Sequence, residues 1–188
     1  MQQIAVNTKI NGVDVDRLFE TINAIKQTPR LADFKFRLEN RWIDAGQNSS
    51  TIRNFYGAGQ DHEHKEPFLV KSDEPPLLLG EGSAPSPVEY LMHALVACVT
   101  GALVYHAAAK GIRIQEIESR AEGDIDLRGF LGLDDNVRRG YKNIKIKFRI
   151  KADVPDEQLE ELCQLGPTYS PVFDSLTRGV PVEVVLDK

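Results

Sequence analysis

The longest apolar stretch of the chain runs from Tyr90 to Ala109 without a single Asp, Glu, Lys or Arg. Ser86-Pro87-Val88-Glu89 precedes it as a capping box with proline at the first helical position, and Gly111 follows as a stop signal. The pattern therefore predicts one helix of about 25 residues. Its length would suffice to cross a membrane. However, the stretch is rich in alanine and contains His93 and His106, which favours a buried core helix and no membrane partner.

A shorter helix is predicted near the N-terminus. Asp14 or Asp16 can cap it, its apolar residues fall on one face, and Thr28-Pro29 ends it. We therefore expect residues 1–32 to form an N-terminal helical extension.

The region between the two helices has the pattern of a small sheet. Apolar and polar residues alternate over residues 34–43 and again over residues 50–56, which predicts a hairpin. A polar loop over residues 57–66 and a short strand at residues 68–70 follow. A connector rich in Pro and Gly, residues 74–85, leads to the long helix.

After the long helix, the pattern predicts two long strands and then two short helices. Alternation indicates strands over residues 112–127 and 141–151. Pro155 opens one helix, which Gly166-Pro167 stops, and Ser170-Pro171 opens another. We expect a last strand from Val180 to Leu186. The order of helices and strands is that of an α+β fold.

Composition and charge exclude several classes of protein. The 188 residues are 41% apolar and 27% charged, as in an ordinary globular protein with one core. A net charge of −5 gives no general attraction for nucleic acid or anionic lipid. The N-terminus lacks the features of a signal peptide. Two cysteines are too few for a secreted disulfide framework, so we expect a cytoplasmic protein.

Two short patterns imitate metal sites without completing them. Asp124 and Asp126 begin a segment similar to a calcium loop, but Arg128 stands where a ligand belongs. His62 and His64 are two possible imidazole ligands two residues apart, and the pattern supplies no spaced third and fourth ligand that would complete a site. We therefore interpret both patterns as solvated loops and predict no metal and no cofactor.

Cys98 is the residue best suited to carry chemistry. It lies near the middle of the long helix among apolar residues, which by itself favours simple packing. A reactive thiol has to be ionised, and Cys98 is about 18 Å from the helix start at Ser86, beyond the reach of the helix dipole. Its activation therefore needs a cation from elsewhere. Arg37 and Arg41 of the first predicted hairpin are the candidates.

Two segments of the chain carry a family resemblance. The first runs from Pro85 through the capping box to Ala97-Cys98 and on to Lys110-Gly111, and the second is Ser170-Pro171-Val172-Phe173-Asp174. In these segments the chain resembles the OsmC/Ohr family, and the resemblance extends over residues 33–188. It implies an α+β fold in which curved antiparallel sheets surround long central helices in an intertwined homodimer.

The resemblance also implies a thiol-dependent peroxidase. Cys98 falls on the peroxidatic cysteine, whose thiolate attacks a hydroperoxide and becomes a sulfenic acid. Arg41 falls on the arginine that holds this thiolate. The family's second cysteine, which condenses with the sulfenic acid to a disulfide, is replaced here by Ser170, whose hydroxyl cannot do so.

A second departure concerns the family's glutamate, which meets Val88 in this chain with Glu89 as its neighbour. On a straight helix Glu89 lies opposite Cys98, and its place in the capping box is a sufficient explanation for it. Ser170 is likewise placed to cap the helix that Pro171 opens. Glu89 and Ser170 nevertheless remain candidate catalytic residues together with Cys98 and Arg41.

Cys163 is an alternative resolving thiol, but its apolar neighbours Leu159 and Leu162 favour packing. The predicted function is reduction of organic hydroperoxides by a homodimer that uses an external thiol as reductant. The alternative is a protein of the same fold without peroxidase activity, which binds a small apolar ligand or senses oxidants through its thiol.

Overall fold

The computed structural model describes residues 9–187, so the predicted absence of a signal peptide concerns residues that lie mostly outside the described part. The described chain divides into two compact units. Unit 1 consists of residues 14–91, and unit 2 consists of residues 9–13 together with residues 92–187. The predicted boundary between an extension and a domain at residues 32 and 33 stays a prediction.

Unit 1 begins with the predicted amphipathic helix. α1 spans Val15–Gln27, and of the two candidate caps the chain uses Asp14, whose carboxylate accepts a 3.1 Å hydrogen bond from the N–H of Arg17. Thr28 ends the helix, and a 3₁₀ turn at Pro29–Ala32 follows. The apolar face of α1 is half-buried and includes Leu18, Ile22 and Ile25.

The remainder of unit 1 is an antiparallel sheet with a central strand. Two short strands, β1 (Lys9–Ile10) and β2 (Val13–Asp14), precede α1 and pair with each other. The strands of the sheet are β3 (Lys35–Phe36), β4 (Glu39–Asp44), β5 (Gln47–Gly57) and β6 (Gln60–Ser72). β3 and β4 pair with successive parts of β5, and β6 pairs along most of its length. The predicted hairpin between residues 34–43 and 50–56 is therefore confirmed.

The predicted polar loop over residues 57–66 is wrong, because most of it belongs to β6. Ala58 and Gly59 form a two-residue turn in which both have positive φ, 49° and 84°. Such a turn matches the twist of a tight hairpin, so the chain returns at once into the next strand. Gly57 pairs with Gln60 directly across the turn.

The predicted long helix is confirmed as α2, Pro87–Ala109. It is long and apolar enough to span a membrane by length and composition alone, a test that the core helix of a soluble protein also passes. Only one side of α2 is buried within the described chain, and the buried residues are Leu95, Val99, Leu103, Ala107 and Ala108. The buried side supplies Leu103 and Ala107 to the core, as predicted for a core helix, whereas Leu91 and Tyr105 on the other side are exposed in the single chain.

Unit 2 combines the rest of α2 with a two-stranded antiparallel sheet and three further helices. The strands are β7 (Ile114–Asp124) and β8 (Asn143–Ala152), and the helices are α3 (Leu127–Phe130), α4 (Asp156–Tyr169) and α5 (Pro171–Arg178). The apolar residues of both strands alternate onto one face. The core is a cluster of Leu103, Ala107, Leu162 and Leu165, with half-buried residues of both strands packed against it.

Residues 9–13 attach to unit 2. The short strands β1 (Lys9–Ile10) and β2 (Val13–Asp14) form a two-stranded sheet. In the turn between them, the side chain of Asn11 donates to the carbonyl of Ile112 at 2.9 Å and accepts from the N–H of Ile114 at 2.8 Å. These bonds fix the turn on the segment that leads into β7.

Two predictions for unit 2 are wrong. α4 does not stop at Gly166-Pro167 but continues to Tyr169. Pro167 removes one helical hydrogen bond, yet α4 is held by the packing of its apolar face in the core.

Residues 180–186 form no strand within the described chain, and their valine side chains are exposed. A strand needs a neighbour to pair its backbone groups. The predicted α+β class itself is confirmed.

Candidate functional site

Cys98 lies on α2 at the border between its buried and exposed sides. The side chain is a half-buried free thiol. Val99, the next residue, and Leu95, one turn earlier, are both buried. Seven residues make almost two full helical turns, so Tyr105 shares the face of Cys98, and Tyr105 is 56% exposed. The thiol is therefore close to the core without being enclosed by it.

Two contacts hold α4 against α2 near this thiol. A Cβ atom placed on Gly166 would lie 2.7 Å from Cγ1 and 2.9 Å from the carbonyl oxygen of Val99, so the two helices approach closely there. The rings of His106 and Tyr169 stack with their centres 3.7 Å apart and their planes 12° apart. Cys98 directly precedes Val99, and the next residue after Tyr169 begins the turn into α5.

Burial and a neighbouring charge change the ionisation of His106. Removal of its ring from water lowers its pKa, and the positive charge of Lys110, four residues later and directly after the end of α2, lowers it further. The imidazole that stacks on Tyr169 is therefore predominantly neutral near pH 7. A neutral imidazole can be partly removed from water against the ring of Tyr169 at a lower desolvation cost than a charged one.

Ser170 is the N-cap of α5, as its position before Pro171 predicted. The side chain is 2% exposed, and its hydroxyl oxygen accepts a 3.1 Å hydrogen bond from the N–H of Phe173. Ser170, which the resemblance aligns with the family's second cysteine, therefore acts as a helix cap. Its catalytic assignment stays a prediction.

Glu89 completes the start of α2 in unit 1. Its carboxylate accepts hydrogen bonds from the N–H of Ser86 at 2.7 Å and from the Ser86 hydroxyl at 2.8 Å. These bonds, the backbone one foremost, lower the pKa of Glu89. The capping explanation for Glu89 is therefore confirmed. In a standard capping box the serine hydroxyl accepts a hydrogen bond from a backbone N–H, whereas here it donates to the Glu89 carboxylate. A catalytic role for Glu89 stays a prediction.

The two arginine candidates differ in their surroundings within unit 1. Arg37 donates to Asp61 at 2.9 Å and to the side-chain oxygen of Asn54 at 3.5 Å. Arg41 is exposed on β4 opposite Ser49 and takes part in none of the ion pairs among residues 9–187. Of these two arginines, Arg37 forms an ion pair with a carboxylate and Arg41 forms none among the described residues. The contact of Arg41 with Cys98, a residue of unit 2, stays a prediction.

Cys163 is half-buried on α4, and burial raises the pKa of its thiol. A thiol of this kind is neutral at physiological pH and a poor nucleophile. Together with the neighbouring core residue Leu162, this favours the packing interpretation of Cys163.

The residues of the two metal-like patterns have other partners. Asp126 accepts hydrogen bonds from Arg128 and Lys142, which hold its pKa well below the usual range, and Asp124 accepts one from Asn143. His62 lies 3.0 Å from the carbonyl oxygen of Gly57. Within residues 9–187 no three His, Cys, Asp or Glu side chains are grouped closely enough to hold a metal ion.

Sequence reasoning missed the contacts that bring α4 against α2. The sequence pattern predicts a helix stop at Gly166-Pro167 and carries no signal for the stacking of His106 on Tyr169. The only local signal was a glycine followed by a proline inside an otherwise helical pattern. Such a glycine can mark either a helix end or a close approach of two backbones.

Comparisons with known proteins agree with this arrangement of elements. The family model described as OsmC-like protein matches residues 80–185, more than half of the chain. No curated protein sequence matches the chain.

Several solved structures share the fold, among them the following three. The OsmC-like protein from Mycoplasma pneumoniae superposes with a TM-score of 0.59 at 16% identity, over 78% of this chain and 89% of that one. An OsmC-like protein of unknown function from Vibrio cholerae has a TM-score of 0.52 at 13% identity, over 76% and 94%. An organic hydroperoxide resistance protein OsmC from Legionella pneumophila has a TM-score of 0.52 at 14% identity, over 76% and 90%. The chain described here therefore belongs to the family of OsmC-like proteins.

Proposed function

We propose that the chain is a thiol-dependent reductase of organic hydroperoxides in which Cys98 reacts with the peroxide. The observation that carries the proposal is the position of Cys98 on this fold, as a half-buried free thiol at the edge of the exposed side of α2. One solved neighbour of the same fold is named an organic hydroperoxide resistance protein. The apolar side chains around Cys98 favour a peroxide with an alkyl or aryl group over hydrogen peroxide.

The proposed reaction begins with the Cys98 thiolate. Its sulfur attacks the terminal oxygen of the hydroperoxide, an S–O bond forms and the O–O bond breaks. The alkoxide takes up a proton and leaves as the alcohol. Cys98 is then a sulfenic acid, two electrons more oxidised than the thiol.

Arg41 is the proposed source of the charge that keeps Cys98 ionised. A guanidinium near a thiolate stabilises the charged form. Arg41 suits this role better than Arg37, because Arg37 already pairs with Asp61.

An external thiol completes the cycle in this proposal. Ser170 has a hydroxyl where the family has its second thiol, and this hydroxyl caps α5. The first external thiol forms a mixed disulfide with Cys98 and releases water. A second thiol then attacks this disulfide and returns Cys98 to the thiolate.

We further propose that the protein is a cytoplasmic homodimer. Among residues 9–187, every fully buried hydrophobic side chain belongs to unit 2. Unit 1 exposes large apolar side chains, including Phe36 at 77%, Leu69 at 71% and Trp42 at 64%. Apolar surface of this extent is typical of an interface. A second copy of the chain, which carries the half-exposed apolar helix α2, is the proposed cover.

The experiment that tests the peroxidase is a turnover assay with cumene hydroperoxide and dithiothreitol. We expect peroxide to disappear catalytically with the unchanged chain and with the Cys163→Ser variant, and to persist with the Cys98→Ser variant. No turnover above the Cys98→Ser background would contradict the proposal. Hydrogen peroxide in the same assay tests the preference for an organic group.

The alternative function, binding or sensing without turnover, is favoured by one observation. Ser170 lacks the thiol that would complete an internal cycle and is fully used as a helix cap. Maleimide labelling of Cys98 across pH distinguishes the two functions. Rapid labelling at pH 6 to 7 supports catalysis, whereas labelling that rises only towards pH 8.5, as for an ordinary thiol, supports the alternative.

A further inference from the structure

Unit 2 contains an apolar cavity of about 210 Å³, about half open to solvent, that the proposed chemistry of Cys98 does not use. It lies between α2, the apolar face of β8, α4 and α5. Its hydrocarbon walls are formed chiefly by Leu95, Val99, Ile144, Ile146, Phe148 and Phe173. Cys98 is not among the lining residues, so the cavity is separate from the candidate catalytic thiol.

The walls of the cavity are held in place by contacts already described. Gly166 fixes α4 against Val99, which itself lines the cavity. Phe173 belongs to the first turn of α5, whose start is capped by Ser170. The cavity therefore has ordered walls in the absence of a ligand, as small-molecule sites usually do.

The polar groups at the cavity are few and uncharged. Cys163 contributes its thiol, which burial keeps neutral, and Gln164 is an exposed residue at the rim with an amide that can donate and accept. No Asp, Glu, Lys, Arg or His lines the cavity among the described residues. A charged ligand would lose its hydration shell here without gaining an ion-pair partner, so the cavity disfavours the binding of charged molecules.

We propose that this cavity binds a small uncharged molecule with an aromatic or branched hydrocarbon body and one hydroxyl group. The body occupies the space between β8 and the helices, and the hydroxyl lies at the rim with the amide of Gln164. An apolar protein cavity of about 150 Å³ is large enough to bind benzene, so this space accepts a ring with a short substituent. The inference rests on the cavity alone, whose lining does not include Cys98, so it does not depend on whether Cys98 reduces peroxides.

Cys163 provides the readout for a test, because it lines the cavity. In a Cys98→Ser variant it is the only thiol, since the chain has two cysteines. We expect benzyl alcohol to slow the alkylation of Cys163 by N-ethylmaleimide at least fivefold, with saturation, as measured by intact-protein mass spectrometry. Glycerol, which has hydroxyls without the apolar body, and benzoate, which carries a charge, should leave the rate unchanged.

A variant in which a larger side chain fills the cavity is the matched control for binding of benzyl alcohol. Ile146→Phe in the same background adds a ring to the wall, so we expect Cys163 to react slowly without benzyl alcohol and to show no further protection with it. Saturation-transfer NMR of benzyl alcohol with the unchanged chain gives a second measurement that needs no substitution. Equal alkylation rates with and without benzyl alcohol, or an NMR signal that persists undiminished in the Ile146→Phe variant, would overturn the proposal. The peroxidase assay is independent of both measurements, so the two proposals can fail separately.

Discussion

Gly166 of α4 lies so close to Val99 of α2 that a methyl group on Gly166 would meet Cγ1 of Val99 at 2.7 Å and its carbonyl oxygen at 2.9 Å. The oxygen belongs to the backbone of α2 and cannot rotate away. Because Cys98 directly precedes Val99, this contact sets the spacing of α4 from the helical turn that carries the candidate thiol.

Gly166→Ala should therefore destabilise the fold. Overpacking at a close helix contact typically costs about 1–3 kcal/mol, which exceeds the gain of about 1 kcal/mol from the better helix propensity of alanine. Urea denaturation followed by circular dichroism measures the change in the free energy of unfolding. Gly140→Ala is the control, because the nearest atom to its new methyl group is the flexible side chain of Arg138 at 3.9 Å. A Gly166→Ala variant at least as stable as the unchanged chain would contradict the observed approach of the helices.

Ser170→Cys should restore an internal resolving step. The substitution places a thiol at the start of α5, where the helix dipole favours its ionised form. After a brief exposure to cumene hydroperoxide, we expect the unchanged chain to gain one oxygen and the variant to lose two hydrogens, by intact-protein mass spectrometry. Ser170→Ala serves as the matched control, with the loss of the cap costing about 1 kcal/mol and no disulfide forming. A variant that still gains oxygen would show that position 170 is out of reach of Cys98.

Arg41→Gln should slow the reaction of Cys98 with cumene hydroperoxide by roughly tenfold or more at pH 7, since loss of a nearby cation reduces the ionised fraction of a thiol. Stopped-flow kinetics under single-turnover conditions measures this rate. Arg37→Gln is the matched control, because Arg37 is engaged by Asp61 and should leave the rate nearly unchanged. The assignment is wrong if the Arg37 variant is the slower of the two.

His106 should make the stability of the fold fall as the pH is lowered. Burial and Lys110 lower its folded pKa, so the unfolded chain binds the proton more readily than the folded chain. Stability is then constant above the unfolded pKa, near 6.5, and declines as the pH falls below it. Urea denaturation between pH 7.5 and pH 5.5 measures this decline. His106→Phe keeps a ring against Tyr169 and should flatten the dependence, whereas an unchanged slope would mean that other groups cause it.

Tyr105→Glu should weaken the proposed homodimer. Tyr105 is exposed on the helical face that it shares with Cys98, and a charge placed in a covered interface is costly. Sedimentation velocity should show twice the chain mass for the unchanged protein and a shift towards the monomer for the variant. Asn23→Glu, at an exposed polar position of α1, is the control and should remain dimeric. A monomeric unchanged chain would remove the basis of the proposal.

Local sequence patterns predicted most of the elements because each element carries its own signals. The capping box and the uncharged stretch predicted α2, and alternation of apolar and polar residues predicted the pair β7 and β8. The errors arose where local signals are ambiguous. The predicted polar loop is instead a hairpin, because Ala58 and Gly59 form a tight turn. The helix α4 continues beyond Gly166-Pro167, because its packing on α2 outweighs the lost hydrogen bond.

For the candidate site, sequence alone identified Cys98 as the candidate thiol, Ser170 as a helix cap and Glu89 as part of the capping box, because these features depend on neighbours a few residues away. Tertiary structure decided that Arg37 is held by Asp61, that His106 stacks on Tyr169, and that an apolar cavity lies behind Cys163. These features join residues far apart in the chain. They depend on which faces of the elements meet, and periodicity identifies an apolar face without identifying the surface that covers it.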